Sequence, residues 1–373
     1  MSGRLHLAVE IGGAGRHPGA WRLPGAGDLF AAGTHVERVR TAARGGLDLV
    51  VLPDTFAPPS ADPDALPGTL DAVALAARIA PAVPGIGVVP VAPVTHTEPF
   101  HLSTAIATLD FVSTGRAGWQ PDVSRTRAEA DLFGRTGPAP ADALWRETGE
   151  VIEAVARLWD SWEDDAEIRD EATGRFVDRE KLHYVDFAGE FFSVKGPSIT
   201  PRSPQAQPPT VLRGDEAAAL PVVGRHADVV RVAADTVAGA AEARDRVRAA
   251  VADAGRDPER VAVLLDVETL LGDRVGEALR ELDLLAPAGA GTAARTLRYV
   301  GDPAGLAELL RGAVEERAAD GFVLAPLALP SGLDAVVDGL LPALGDAWVP
   351  APYDGSLRAR FDLARPANRY ATS

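Results

Sequence analysis

Polar residues able to do chemistry sit in this chain at the far ends of apolar runs. Asp54 closes "LDLVVLPD", and His96, Glu98 and His101 follow the run from Val88 to Val94. His17, Trp21 and Arg22 come shortly after another such run, "LHLAVEIG". Carboxylates and imidazoles in such places can move protons or hold a bound ligand. Several other chemistries are excluded. The chain has no cysteine, so disulfides, thiolate nucleophiles and Cys metal sites are ruled out. Its seven histidines are scattered, with no pair at the spacing of a helical metal site. "GGAGRHPG", after the first run, lacks the spacing of a dinucleotide fingerprint and carries a proline.

The elements that must position these residues are legible as a rhythm. Eight apolar runs read as strands, beginning near Leu5, Leu47, Gly85, Arg116, Pro209, Ala227, Val261 and Gly321. Val88, Val89, Val91 and Val94 are β-branched, as in a strand buried on both faces, although Pro90 and Pro93 make that strand imperfect. Helical spacing separates nearly all of the runs. It appears from Leu29 to Arg44, from about Thr69 to Ala80, from Leu102 to Val112, from Ala143 to Trp162, and again after Asp302, an N-cap with Pro303 behind it. Eight alternating units predict one (β/α)8 TIM barrel spanning residues 1–373, with insertions near 163–206 and 273–300. The first insertion contains a hairpin around Gly189, and the second reads as irregular. Two doubly wound domains are the alternative. In either architecture ligands bind past the carboxyl ends of parallel strands, where the polar residues gather.

Composition narrows the partners. A formal charge of -16 argues against nucleic acid or an anionic membrane. Of 37 basic residues only Lys181 and Lys195 are lysines, a bias of composition rather than a binding patch. No signal peptide or membrane span is evident, so the cytoplasm is the expected location.

Several stretches together carry a family resemblance: "HPGAWR", "LDLVVLPD", "HTEPFHLSTAIATLDFVSTGRAGW", "LWDSWEDDA", "GEFFSVKGPSITPRSPQAQP", "GRHADVV", "YVGDPAGLAELL" and "YDGSLRARFDLARPANRY". In this order, over nearly the whole length, they resemble the bacterial-luciferase-like flavin-dependent monooxygenases, in the nitrilotriacetate and sulfur-compound branch. The resemblance implies a barrel with an FMN site at its carboxyl mouth. It also implies reduced FMN supplied by an NAD(P)H:flavin reductase, O2 as co-substrate, a small organic substrate, and a homodimer or homotetramer. The flavin would do the hard chemistry while the protein orients it and excludes water.

Carried over by position, the cofactor candidates are Asp54, Thr95, Gln120, Trp145, Gly214 and Asp215, and the substrate-mouth candidates are His17, Trp21 and Trp119. Three stretches depart from the family pattern. Gln120 stands where Asn is common, and Ala141 and Trp145 stand where His and Tyr are common. "RGDEA" replaces a serine-bearing phosphate turn and puts Asp215 and Glu216 near the phosphate. Weak FMN binding and a preference for flavin without phosphate are therefore expected. Structural readings stand beside the functional ones. Asp54 can be a capping acid, and His96, Glu98 and His101 can be ordinary loop or helix residues. His17, Trp21 and Arg22 can seal the barrel or a subunit contact, as can the "RPANRY" tail. Trp159, Trp162 and His226 read as packing residues, and Glu163 to Asp165 as a solvated helix end. Two function classes stay open: a two-component monooxygenase using reduced FMN, and a non-catalytic or repurposed barrel that has lost tight FMN binding.

Overall fold

The computed structural model describes residues 4–350, 353 and 355–371. Eight short strands form its centre: β1 (His6–Glu10), β2 (Leu49–Leu52), β3 (Gly87–Pro93), β4 (Gln120–Asp122), β5 (Val211–Arg213), β6 (Val229–Val232), β7 (Ala262–Leu271) and β8 (Gly321–Pro326). Each barrel strand pairs in parallel with its neighbours, and β8 returns to β1 with Val9 opposite Leu324. Trp119 closes the remaining seam. Its N–H donates to Pro209 O at 3.1 Å, and Val211 N–H donates to Trp119 O at 2.9 Å. The sheet is thus a (β/α)8 barrel, and the two-domain alternative is removed.

Strand residues alternate between two environments because side chains project with period two. Leu7, Val9, Val50, Leu52, Val88, Leu212, Val230, Val263 and Leu265 face outward into the layer of helices. Ala8, Leu49, Val51, Val89, Val91, Val211, Val229, Leu264 and Val323 fill the barrel interior. The interior core is completed from below by the C-terminal segment, whose Leu357 and Phe361 join the same cluster. Gly87 and Gly118 make room for this plug: a Cβ there would lie 2.6 and 3.0 Å from the Leu357 methyls. Leu357 N–H donates to Gly115 O at 2.8 Å, and the buried Arg360 guanidinium donates to Asp48 at 2.6 Å.

The helices follow their expected sites with shifted ends, at Ala32–Arg44, Ala72–Ile79, Pro99–Val112, Ala141–Asp160, Val237–Asp253 and Pro303–Glu315. The first insertion holds the expected hairpin, Phe187–Ala188 against Ser193–Val194, and a second one, Glu167–Asp170 against Arg175–Val177.

One expectation needs correction. Residues 273–300 are not irregular, because a helix covers Val275–Leu285 and a strand, Leu297–Gly301, pairs with the outer half of β7. Val275, Ala278, Leu279 and Leu282 form the helix's apolar stripe, which packs beneath the loop after β1. Asp164 and Asp165 are exposed, as expected of a solvated helix end, and the acidic run is also paired. Asp164 binds Arg202 and Arg365, Glu163 binds His183, and Asp165 binds Lys181. Hydrogen bonds from Arg365, against the cost of burial, and a further pair with Arg202 pull Asp164 down to about 2. The "RPANRY" tail is engaged within its own chain: Asn368 donates to Asp160 O and Trp162 O at 2.8 Å, and Tyr370 stacks on His183.

The plug and one packing histidine give two tests. Leu357→Ala removes a fully buried side chain and should cost about 2–5 kcal/mol, read as a lower urea midpoint; a loss below about 1 kcal/mol would mean the segment does not brace the barrel. His226 ends a short helix, Leu220–His226, and burial pushes it down to about 4. The unfolded chain then binds the proton more tightly than the folded chain. Stability is fully present above about pH 6.5 and falls as pH drops toward 4, by about 1–2 kcal/mol after allowing for the ring's partial exposure. Thermal melts across that window should show the slope in wild type and a flatter one in His226→Gln.

Candidate functional site

At the carboxyl ends of the strands the barrel interior changes character. One pleat above Ala8, Val211, Val229 and Leu264 stand Glu10, Arg213, Arg231 and Asp266, and Gln120 joins them from β4. Arg231 is 2% exposed and spans the barrel. Its Nε and Nη2 donate to Asp266 at 2.9 and 3.0 Å, Nη2 also to Glu10 at 2.7 Å, and Nη1 to Gln120 Oε1 at 3.1 Å. Arg213 lies directly opposite Arg231 on the adjacent strand. Two like charges in that register would repel. Asp266 relieves this by accepting from both, with Arg213 Nη1 at 2.9 Å. Burial acts to raise the Asp266 carboxyl, but the guanidinium groups of Arg231 and Arg213 overcome it and hold the group below the usual carboxylate range. Glu10 behaves alike: burial raises it, and Arg231 with Arg16 pulls it lower still. The layer therefore stays ionised at neutral pH, with its charges matched.

This layer floors a cleft of about 810 Å³, within the size range of small-ligand pockets. Ile11, Leu52, Leu66, Leu70 and Val91 are among its apolar lining, and Asp54, Arg125, Asp215, Glu216 and Arg295 among its polar lining. Another cavity, about 620 Å³, lies on the outer helices around Leu220 and Ala250, away from the strand ends.

The positions proposed from sequence are distributed unevenly around the cleft. Asp54, Gln120 and Asp215 line it. Asp54 accepts from Ala72 N–H at 2.8 Å and Thr55 N–H at 2.7 Å, tying the helix Ala72–Ile79 to the end of β2. Burial raises its pKa, and those two backbone bonds oppose the rise. Thr95, Trp145 and Gly214 stand behind the wall. Thr95 accepts from Ser124 N–H at 2.9 Å. Trp145 is buried and donates to Glu216 at 3.1 Å. Gly214 is a packing glycine, since a Cβ there would lie 2.8 Å from Val230 and 2.9 Å from Val247.

Of the mouth candidates, His17 and Trp21 line the cleft. His17 meets Asp283 at 3.2 Å; burial lowers its pKa and Asp283 opposes this. Trp21 donates to Asp64 O at 3.2 Å. Trp119 does not reach the mouth: it is fully buried at the barrel seam, donates to Thr210 and meets Trp159 edge-on. Trp159 and Trp162 are buried, as expected. His96, Glu98 and His101 are not among the cleft-lining residues. His96 stacks on Phe133, Glu98 caps Pro99–Val112, and His101 is exposed.

Sequence reading missed Glu10, Arg231 and Asp266. The available signal was a lone charge at an inward position of an otherwise apolar strand, as in "LAVE", "VVRV" and "LLD".

A closed β/α barrel with one ligand-sized cleft over its strand ends defines a class of barrel proteins that bind at the carboxyl mouth. The sequence profile of the luciferase-like monooxygenases matches residues 10–335. The chain belongs to the luciferase-like monooxygenase family. It is 30% identical to N-acetyl-S-(2-succino)cysteine monooxygenase of Bacillus subtilis, over 99% of this chain and 98% of that one. It is also 30% identical to nitrilotriacetate monooxygenase component A of Aminobacter aminovorans, again over 99% and 98%. Among solved structures, a riboflavin lyase with modified FMN and riboflavin aligns over 98% of this chain and 97% of that one, with a TM-score of 0.87 at 21% identity. The EDTA monooxygenase of Chelativorans sp. BNC1 aligns over 97% and 99%, with a TM-score of 0.83 at 23% identity.

A flavin ring fits the cleft by size and by its apolar walls. A phosphate at the "RGDEA" turn fits less well, because the donors there are already taken. Arg213 donates to Asp215 at 2.6 Å. Arg125 donates to Glu216 at 2.9 Å, and Trp145 donates to the other oxygen of the same carboxylate. An incoming phosphate must displace a carboxylate from its partners. Freeing the two arginines should therefore help FMN and not riboflavin. We expect Asp215→Ser with Glu216→Ser to tighten FMN roughly tenfold, about 1.4 kcal/mol, and to leave riboflavin unchanged in fluorescence titrations. Equal effects on both flavins would place the phosphate elsewhere.

Proposed function

We propose that this protein is a flavin-dependent monooxygenase. It takes reduced flavin, FMN in the family pattern, from a separate NAD(P)H:flavin reductase and uses O2 to oxygenate a small organic substrate. The carrying observation is the cleft itself: a ring-sized chamber over the barrel axis, in a chain of this family, with a buried polar floor and apolar walls. Bound reduced flavin would supply the electrons that activate O2. The chain's own groups do the rest. Ile11, Leu52 and Val91 give the ring an apolar seat, and Gln120 meets it from the floor. Trp21, fixed to Asp64 O, and the Pro-rich loop after β2 narrow the mouth and limit water. Asp54, held by two backbone N–H groups, presents a carboxyl beside that seat. The printed name of the nitrilotriacetate relative, component A, fits a system with a second component.

A second reading has its own support. With Asp215 and Glu216 occupying Arg213 and Arg125, the barrel could serve without tight FMN, as a partner subunit or a small-molecule binder. We place the working protein in the cytoplasm as a homodimer or homotetramer; among the described residues no helix is long and apolar enough to cross a membrane.

The reductase requirement separates the two readings. Purified protein with NADH, FMN and a candidate substrate should consume no O2 beyond background. Adding an NADH:FMN reductase should give oxygenated product that depends on the barrel protein. If anaerobic titration with reduced FMN and reduced riboflavin shows no binding, the repurposed barrel is the correct reading.

A further inference from the structure

Arg231 makes no chemical sense as filler. A guanidinium keeps its charge under all ordinary conditions and must find acceptors wherever it is buried. Here it finds Asp266, Glu10 and Gln120, on three other strands of the barrel. The two carboxylates would balance its charge without Gln120. The contact with Gln120 has a different consequence.

Gln120 is 2% exposed and lines the cleft. Its amide has an accepting oxygen and a donating NH2. Arg231 offers only donors, so the oxygen must face Arg231 and the NH2 must face away. Among the described residues nothing accepts from Gln120 Nε2, and it is not among the side-chain atoms sealed from solvent without a partner. It is therefore an open donor pair on a nearly buried side chain, directed into the cleft. Such a group is costly to leave unmade once a ligand excludes water.

We propose that Arg231 is a positioning residue that locks the Gln120 amide with its N–H pair toward the ligand. The cleft floor then selects ligands by an acceptor edge, a carbonyl oxygen or bare ring nitrogen, and disfavours an edge that presents N–H. A flavin ring has acceptor edges of this kind. In that respect the inference rests on the flavin reading above, but the fixed orientation of the amide does not.

Two measurements test the parts separately. Without ligand, the Gln120 side-chain NH2 can be followed by NMR in wild type and in Arg231→Met with Glu10→Gln and Asp266→Asn, which removes the guanidinium without stranding its two carboxylates. The wild-type amide should be as rigid as the backbone, and in the triple variant it should become mobile. Equal rigidity in a folded triple variant would overturn the positioning role. With ligand, riboflavin titrations compare wild type and Gln120→Met, which keeps the side chain's bulk and leaves Arg231 three of its bonds. Affinity should fall at least tenfold, and the visible absorption band of bound riboflavin should move back toward its position in water. Unchanged affinity and band in Gln120→Met would overturn the acceptor-edge selection. If wild type binds no riboflavin while the NMR result holds, the flavin reading fails and the positioning role stands.

Discussion

A permanent cation at the centre of a barrel constrains everything around it. Arg231 cannot neutralise itself, so its position on β6 requires an acid on β7 and another on β1, at the same height above the apolar layer. Arg213 on β5 adds a second cation at that height, and Asp215 and Asp266 hold it. Removing one member of such a buried set typically costs about 3–5 kcal/mol, because its partners are left desolvated. The set is better understood as a device that fixes strand register and side-chain direction than as a source of net stability. It divides the barrel into an apolar lower part that must be packed and a polar upper surface that can meet a ligand.

The two ends of the barrel solve different problems. Below, the interior is closed by the chain's own C-terminal segment, with Leu357 against Gly87 and Gly118 and with Arg360 on Asp48. Nearby, Asp160 and Asp164 tie the first insertion to the tail through Arg202, Arg365 and Arg369. Above, the loops after β1, β2, β4 and β5 surround the cleft. The second insertion serves that rim. Its helix Val275–Leu285 carries Asp283 to His17, and Gly19 packs so closely on this helix that a side chain there would meet Leu282 and Ala286.

The same arginine-rich chemistry shapes the "RGDEA" turn. Carboxylates at the "RGDEA" turn face arginines that an anionic ligand could use, so the turn is electrostatically closed from within. The floor, in contrast, keeps one donor pair open.

Strand and helix order, barrel class and family were legible in the sequence because each depends on local pattern. Continuous apolar runs such as "VVPV", helical spacing such as Val36 and Val39, and capping pairs such as Asp302 with Pro303 carry their information within a few residues. The family rests on many such stretches in one order. The apolar stripe of the helix Val275–Leu285, with Val275, Ala278, Leu279 and Leu282, is equally local. The placement of Trp119 at the seam rather than the mouth, the withdrawal of His96 and His101 from the cleft, and the engagement of Asp215 and Glu216 by arginines were decided by the tertiary structure. So was the meeting of Glu10, Gln120, Arg231 and Asp266, which are separated by up to 256 positions and meet only when eight strands close in register. The physical reason is that burial and facing are set by period and can be read along the chain. Which charge finds which partner depends on the angle and height at which distant strands meet, and no local pattern contains that.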